Sequence, residues 1–94
     1  MSKRMTIKFK VQAGKSEEFE QIASAAAARV RAEDAGCEAY HVYKSLEDPS
    51  EYVLVESWET DEALAAHAKS PAIADMQKIG PLLAARPERH VYEG

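Results

Sequence analysis

The chain has 94 residues, of which 46% are hydrophobic and 30% are charged, a composition typical of one globular domain with a single core. Its formal net charge is −4 and its lysines and arginines are not clustered, which argues against a nucleic-acid partner. No apolar run approaches the roughly 20 residues that a membrane span needs, and a single cysteine, Cys37, is typical of a reducing compartment. We therefore expect one cytoplasmic domain over residues 1–94, without a nucleic-acid or membrane partner.

The first third of the chain predicts a strand and then a long helix. Residues 5–11 alternate apolar and polar side chains, as a half-buried strand does. Ser16 is placed to cap a helix, and apolar residues then recur every three or four positions from Phe19 to Val30. Gly36 is a natural terminator of this helix.

Two strands that form a hairpin are predicted next. Over residues 37–45, alternation puts Cys37, Ala39, His41 and Tyr43 on one face and Tyr40 on the other. A turn around Pro49 leads into residues 51–58, a strand that is apolar on both faces and therefore lies inside a sheet.

The remaining elements complete a recognisable order. Thr60 caps a short helix, Ser70 and Pro71 begin another, and residues 86–93 form a last strand whose start Pro87 places at an edge or a bulge. The order β-α-β-β-α-β predicts an α+β, ferredoxin-like fold with an antiparallel sheet and helices on one face. Because the third strand is apolar on both faces, we expect a homodimer in which two sheets pack together.

His67 is the central candidate for chemistry. On the helix after Thr60 it shares a face with Leu64 and Ala68, so it points towards the sheet, near the end of the strand that carries Glu56 and Trp58. Spacing alone favours a structural role for such a histidine, hydrogen-bonded to the backbone. Glu56 needs a partner if it faces inward, or else it lies exposed at the rim of the sheet.

Three segments, GCEAY (36–40), VLVESWET (53–60) and LAAHAKSP (64–71), carry a family resemblance together with the VQAGK turn (11–15). The chain resembles the antibiotic biosynthesis monooxygenase domain family, and most of all its quinol-monooxygenase-like branch. The resemblance implies a dimeric α+β barrel with a pocket between the sheet and the short helices. In enzymatic members it also implies oxidation of phenols or quinols by O₂ without metal or flavin.

The same resemblance implies roles for individual residues. His67 is the candidate base or hydrogen-bonding partner of the substrate, Trp58 an apolar wall, and Glu56 a group that orients or polarises. Further candidates for substrate binding, by position on the predicted strand 37–45, are Tyr40, His41 and Tyr43, which line a cavity or the dimer seam unless their role is structural.

The sequence also departs from the family pattern. Ala72 stands where many relatives have a second histidine, which puts in doubt any activity that depends on a histidine pair. Ile7 and Gln77 replace residues that the haem-degrading branch uses, which argues against haem degradation.

We therefore expect a cofactor-independent monooxygenase acting on a phenolic or quinol-type small molecule. Two alternatives remain open, because proteins with one fold differ in chemistry. One is a non-catalytic ligand-binding or stress-response dimer, and the other is an isomerase of a small carbonyl compound in which His67 moves a proton.

Overall fold

A computed structural model describes residues 3–93; Met1, Ser2 and Gly94 of the predicted domain lie outside the described residues. The elements in chain order are β1 (Lys3–Lys10), α1 (Ser16–Glu33), β2 (Cys37–Lys44), β3 (Glu51–Trp58), α2 (Asp61–His67), α3 (Pro71–Gln77), a short 3₁₀ helix (Gly80–Leu82) and β4 (Glu88–Glu93). Among these helices, none has the length and apolar character needed to cross a membrane.

The strands form one antiparallel sheet in the order β2-β3-β1-β4. Alternate residues of β1 and β3 are buried, and they pack against the buried stripe of α1 that runs from Phe19 to Val30. The α+β, ferredoxin-like prediction is confirmed. We call the sheet surface that packs on the helices the inner face and the opposite surface the outer face.

Caps at the short helices follow the prediction. The hydroxyl oxygen of Thr60 accepts the N–H of Ala63 at 3.1 Å, and the hydroxyl oxygen of Ser70 accepts the N–H of Ile73 at 3.3 Å. Ser16 is different, because α1 begins at Ser16 itself, with Lys15 in the capping position and no side-chain cap.

Two strand predictions need correction. A β-bulge between Cys37 and Ala39 shifts the register of β2, so that Cys37 lies opposite Trp58 and shares the inner face with Tyr40. Simple alternation had placed Cys37 with His41 and Tyr43. The last strand begins at Glu88 rather than at residue 86, after the segment that contains Pro87.

Gly36 allows α2 to approach the end of α1. Its φ is +82°, a left-handed conformation that favours glycine, and a Cβ added there would lie 2.5 Å from the Cβ of Ala63 in α2. The connection between α1 and β2 is thereby held close to the helix that carries His67.

We expect Gly36→Ala to lower the free energy of unfolding by about 2 to 3 kcal/mol, from backbone strain plus the clash with Ala63. Gly14→Ala is the matched control, because its φ is +80° and an added Cβ would meet nothing within 4 Å. Gly14→Ala should lower the free energy of unfolding by only about 1 kcal/mol, because it causes the backbone strain without a clash. Urea denaturation measures both values. Equal losses in the two variants would show that α2 does not pack closely against Gly36.

Candidate functional site

A cavity of about 370 Å³ lies between the inner face of the sheet and the helical segments α2 and α3. Its lining is mostly apolar, and several of the lining residues are buried: Met5, Ile7, Phe9, Leu54, Met76 and Ile79. Five lining side chains are polar or charged: Tyr40, Glu56, His67, Gln77 and Arg89. Such a cavity falls within the size range of small-molecule sites, about 300 to 1,000 Å³.

His67 lies on the cavity wall and is 4% exposed. Its Nδ1 is 2.6 Å from Oδ2 of Asp34, whose side chain is also buried. The same carboxylate oxygen accepts the hydroxyl of Ser70 at 2.9 Å. Three segments of the chain, the end of α1, the end of α2 and the start of α3, therefore fix the orientation of this imidazole.

The contact with Asp34 determines the tautomer of a neutral His67. A carboxylate oxygen can only accept a hydrogen bond, so Nδ1 carries the proton. Nε2 is then the ring nitrogen with a free electron pair, which can accept a proton or a hydrogen bond. Carboxylate–imidazole pairs orient catalytic histidines in this way in other enzymes.

Trp58 lies behind His67 rather than on the cavity surface. Its ring centroid is 4.5 Å from that of His67 with an interplanar angle of 30°, so the two rings pack nearly face to face. Its Nε1–H donates to Oε1 of Glu56 at 2.9 Å. Glu56 is 2% exposed and lines the cavity, so the carboxylate that the sequence left without a partner has one.

Burial shapes the acid–base properties of two lining groups. It raises the pKa of Glu56, an effect opposed by the hydrogen bond from Trp58 and by the nearby His67. Burial also raises the pKa of Tyr40, and the charge of Glu56 acts in the same direction. Tyr40 therefore keeps its phenolic proton at neutral pH. Its ring meets the edge of the His67 ring at a centroid distance of 5.3 Å.

The structure brings together four of the six residues that the sequence nominated: His67, Glu56, Trp58 and Tyr40. His41 and Tyr43 lie elsewhere, because their strand positions pair with Val55 and Val53 on the outer face. Both are exposed, Tyr43 by 55%. Neither belongs to the cavity that His67 lines.

Two cavity-related residues were not predicted as part of the site. Asp34 lies 33 positions before His67, a separation that no local pattern can bridge. The sequence holds one weak indication of a role for Asp34. An acidic residue at the C-terminal end of a helix interacts unfavourably with the helix dipole, which suggests that it is there for another reason. Arg89 stands in the predicted last strand, where an exposed charge is an ordinary feature of a sheet edge. Only the fold shows that it lines the cavity.

The arrangement can bind an aromatic molecule and move a proton. An apolar cavity of about 150 Å³ is enough to bind benzene, so this one has room for a substituted one- or two-ring compound. The imidazole of His67 can take a proton, and the Tyr40 hydroxyl can donate a hydrogen bond. Within residues 3–93, no group of three or more His, Cys, Asp or Glu side chains is arranged to hold a metal ion.

One family model and several solved structures match this chain. The model of the family described as antibiotic biosynthesis monooxygenase matches residues 4–79. A search of curated proteins found no match. A solved structure from Caulobacter crescentus that bears this family name is 26% identical, with a TM-score of 0.93 over 99% of this chain and 89% of that chain.

Two further solved structures are similar in fold. A Nitrosomonas europaea protein with the same family name is 19% identical, with a TM-score of 0.92 over 99% of this chain and 89% of that one. A conserved protein from Methanosarcina mazei Go1 is 23% identical, with a TM-score of 0.89 over 99% of this chain and 92% of that one.

Proposed function

Because the chain belongs to the antibiotic biosynthesis monooxygenase family, whose model spans residues 4–79, we propose that it oxidises a phenolic or quinol-type small molecule with O₂ and without a cofactor. The observation that carries the proposal is the buried imidazole of His67, held by Asp34 at 2.6 Å on the wall of an apolar cavity. The quinol-monooxygenase-like branch is part of the same proposal.

The reaction begins with removal of a phenolic proton. Nε2 of His67 accepts it, and the resulting imidazolium is stabilised by the Asp34 carboxylate on the opposite side of the ring. The phenolate is electron-rich enough to transfer electrons to O₂. The protein's part is to bind and orient the substrate, keep water away from it, and hold the proton.

For a hydroquinone the balance is simple. One hydroquinone and one O₂ give one hydroxyquinone and one water. The O–O bond and one ring C–H bond break. One oxygen atom forms the new C–OH group, and the other leaves as water with the two hydroxyl protons of the hydroquinone. The substrate supplies all four electrons, so the overall reaction needs no separate reductant.

Glu56 and Tyr40 complete the polar end of the cavity. Their positions pair across β2 and β3, which places both beside His67 on the inner face. The Tyr40 hydroxyl, kept protonated by burial, donates to the developing oxyanion of the substrate. Glu56, anchored by Trp58, orients the substrate hydroxyl.

A homodimer and a cytoplasmic location are further parts of the proposal. The outer face presents Val53 and Val55, both half-buried. Tyr43 lies next to Val53 on this face and Tyr92 lies farther along it, on β4, and they are 55% and 53% exposed. Packing two such faces together would remove this apolar surface from water. Sedimentation at the mass of a single chain would contradict the dimer. The cytoplasmic location is supported by the free thiol of Cys37.

The test is oxygen uptake with a panel of hydroquinones and naphthols. We expect the wild type to exceed the spontaneous rate, and His67→Asn to lose about 10² to 10⁴ of the enzymatic rate, the usual contribution of a general base. Asparagine keeps a side-chain N–H where Nδ1 was, so Asp34 keeps its partner while Nε2 is lost. His67→Ala serves as the second variant.

Lys69→Ala is the matched control, because Lys69 is exposed just after α2 and does not line the cavity. It should retain the wild-type rate. Tight binding of the phenols with no uptake above the spontaneous rate would refute the oxidation and favour the ligand-binding dimer. Turnover of a carbonyl compound without O₂ would favour the isomerase.

A further inference from the structure

Arg89 brings a fixed positive charge to the opening of the cavity. Its position on β4 pairs with Ile7, whose side chain is buried on the inner face, so Arg89 lies on the cavity side of the sheet. Arg89 itself is exposed, as is Gln77, another lining residue. These exposed side chains mark the opening, whereas Glu56 and His67 are buried in the interior.

The guanidinium of Arg89 has no partner within the described part of the chain, residues 3–93, because no ion pair or side-chain hydrogen bond there involves it. Arg29 shows the contrast, since its guanidinium contacts Glu33 at 2.8 Å and Asp75 at 2.9 Å. The charge of Arg89 does reach the interior. It is among the groups that oppose the rise in the pKa of Glu56 that burial causes.

We propose that the substrate is an aromatic anion: a phenol whose far end carries a carboxylate or a similar group, bound by Arg89 at the opening while the hydroxyl meets His67. This inference rests on the proposed function for its phenolic end. An arginine fork suits a carboxylate because it can donate two parallel hydrogen bonds.

The spacing of the strands indicates the size of this ligand, and Glu56 indicates its direction. Arg89 and Glu56 lie on β4 and β3, which flank β1, so their strands are about 10 Å apart. A two-ring hydroxy acid has about this span. Glu56 repels an anionic group from the inner end, so the hydroxyl enters first and the carboxylate stays with Arg89.

Calorimetric titration with 6-hydroxy-2-naphthoate and with its neutral carboxamide tests the proposal. The two compounds have nearly the same shape and differ in charge. We expect the wild type to bind the acid about three- to tenfold more tightly, as one partly exposed charge pair allows. Arg89→Gln should abolish this preference, mainly by weakening the binding of the acid.

Arg86→Gln is the control, because Arg86 is exposed and nearby but does not line the cavity. It should keep the preference. Equal affinities for acid and amide in the wild type would overturn the proposal, as would a preference that survives in Arg89→Gln or no binding of either compound.

The titrations are carried out in the absence of O₂, so binding is measured without turnover and the two proposals can fail separately. If the protein oxidises neutral hydroquinones but does not distinguish acid from amide, the anion subsite is wrong and the oxidation stands. If it prefers the acid through Arg89 and consumes no O₂ with any phenol, the subsite stands and the oxidation is wrong.

Discussion

Asp34→Asn is expected to lower the rate of phenol oxidation by about 10² to 10⁴ while leaving the KM for the phenol nearly unchanged. The asparagine amide can donate to Nδ1 of His67, which favours the tautomer that carries its proton on Nε2. Nε2 then has no free electron pair for the substrate. The imidazole stays in place, but its basic nitrogen faces away from the phenol.

Two measurements separate this effect from a loss of structure. Nitrogen-15 chemical shifts of the His67 ring report which nitrogen carries the proton, and we expect the proton to move from Nδ1 to Nε2 in the variant. Glu33→Gln is the matched control, because it makes the same chemical change at an exposed neighbouring position. It should alter neither the shifts nor the rate.

A rate for Asp34→Asn within about threefold of the wild type would contradict an orienting role for Asp34, since a reversed tautomer cannot act as the base. A His67 ring that keeps its proton on Nδ1 in this variant would also contradict the orienting role of Asp34. Ser70→Ala removes the other hydrogen bond to the same oxygen and also a helix cap. It should therefore cost about 1 kcal/mol of stability while the tautomer is kept.

The parts of this site that follow local rules could be predicted from the sequence. Helical spacing places His67 on the inner side of α2, where it is 4% exposed. Alternation along β3 places Glu56 and Trp58 on one face, and the structure shows them joined by a hydrogen bond of 2.9 Å. In both cases the period of the element decides the direction of the side chain.

The parts that depend on distant segments could not be predicted. Asp34 reaches His67 only because α2 packs against Gly36 at the end of α1, a contact between segments about 30 positions apart. Arg89 reaches the cavity because β4 joins the sheet beside β1. Neither contact leaves a periodic trace in the sequence, since each results from tertiary packing.

The second large effect concerns the buried pair formed by Trp58 and Glu56. We expect Trp58→Phe to lower the free energy of unfolding by about 4 kcal/mol, a large share of the total for a domain of this size. Part of the loss is the missing ring volume at a position that is 0% exposed. The rest arises because the Glu56 carboxylate loses its donor while it remains buried.

A double-mutant cycle separates these two parts. Glu56→Leu leaves the Nε1–H of Trp58 without an acceptor and should cost about 1 to 3 kcal/mol. In the double variant neither polar group is buried without a partner. Its loss in free energy of unfolding should therefore be smaller than the sum of the two single losses by at least about 1.5 kcal/mol. Urea denaturation at pH 7 measures all four proteins.

Strictly additive losses would contradict the pairing, because independent sites do not couple. Coupling would show that Trp58 supports the site in two ways. It packs on the His67 ring at 4.5 Å, and it keeps a carboxylate in an apolar cavity. A tryptophan that the sequence suggests as a wall for the substrate would then act mainly on the two polar groups that the substrate meets.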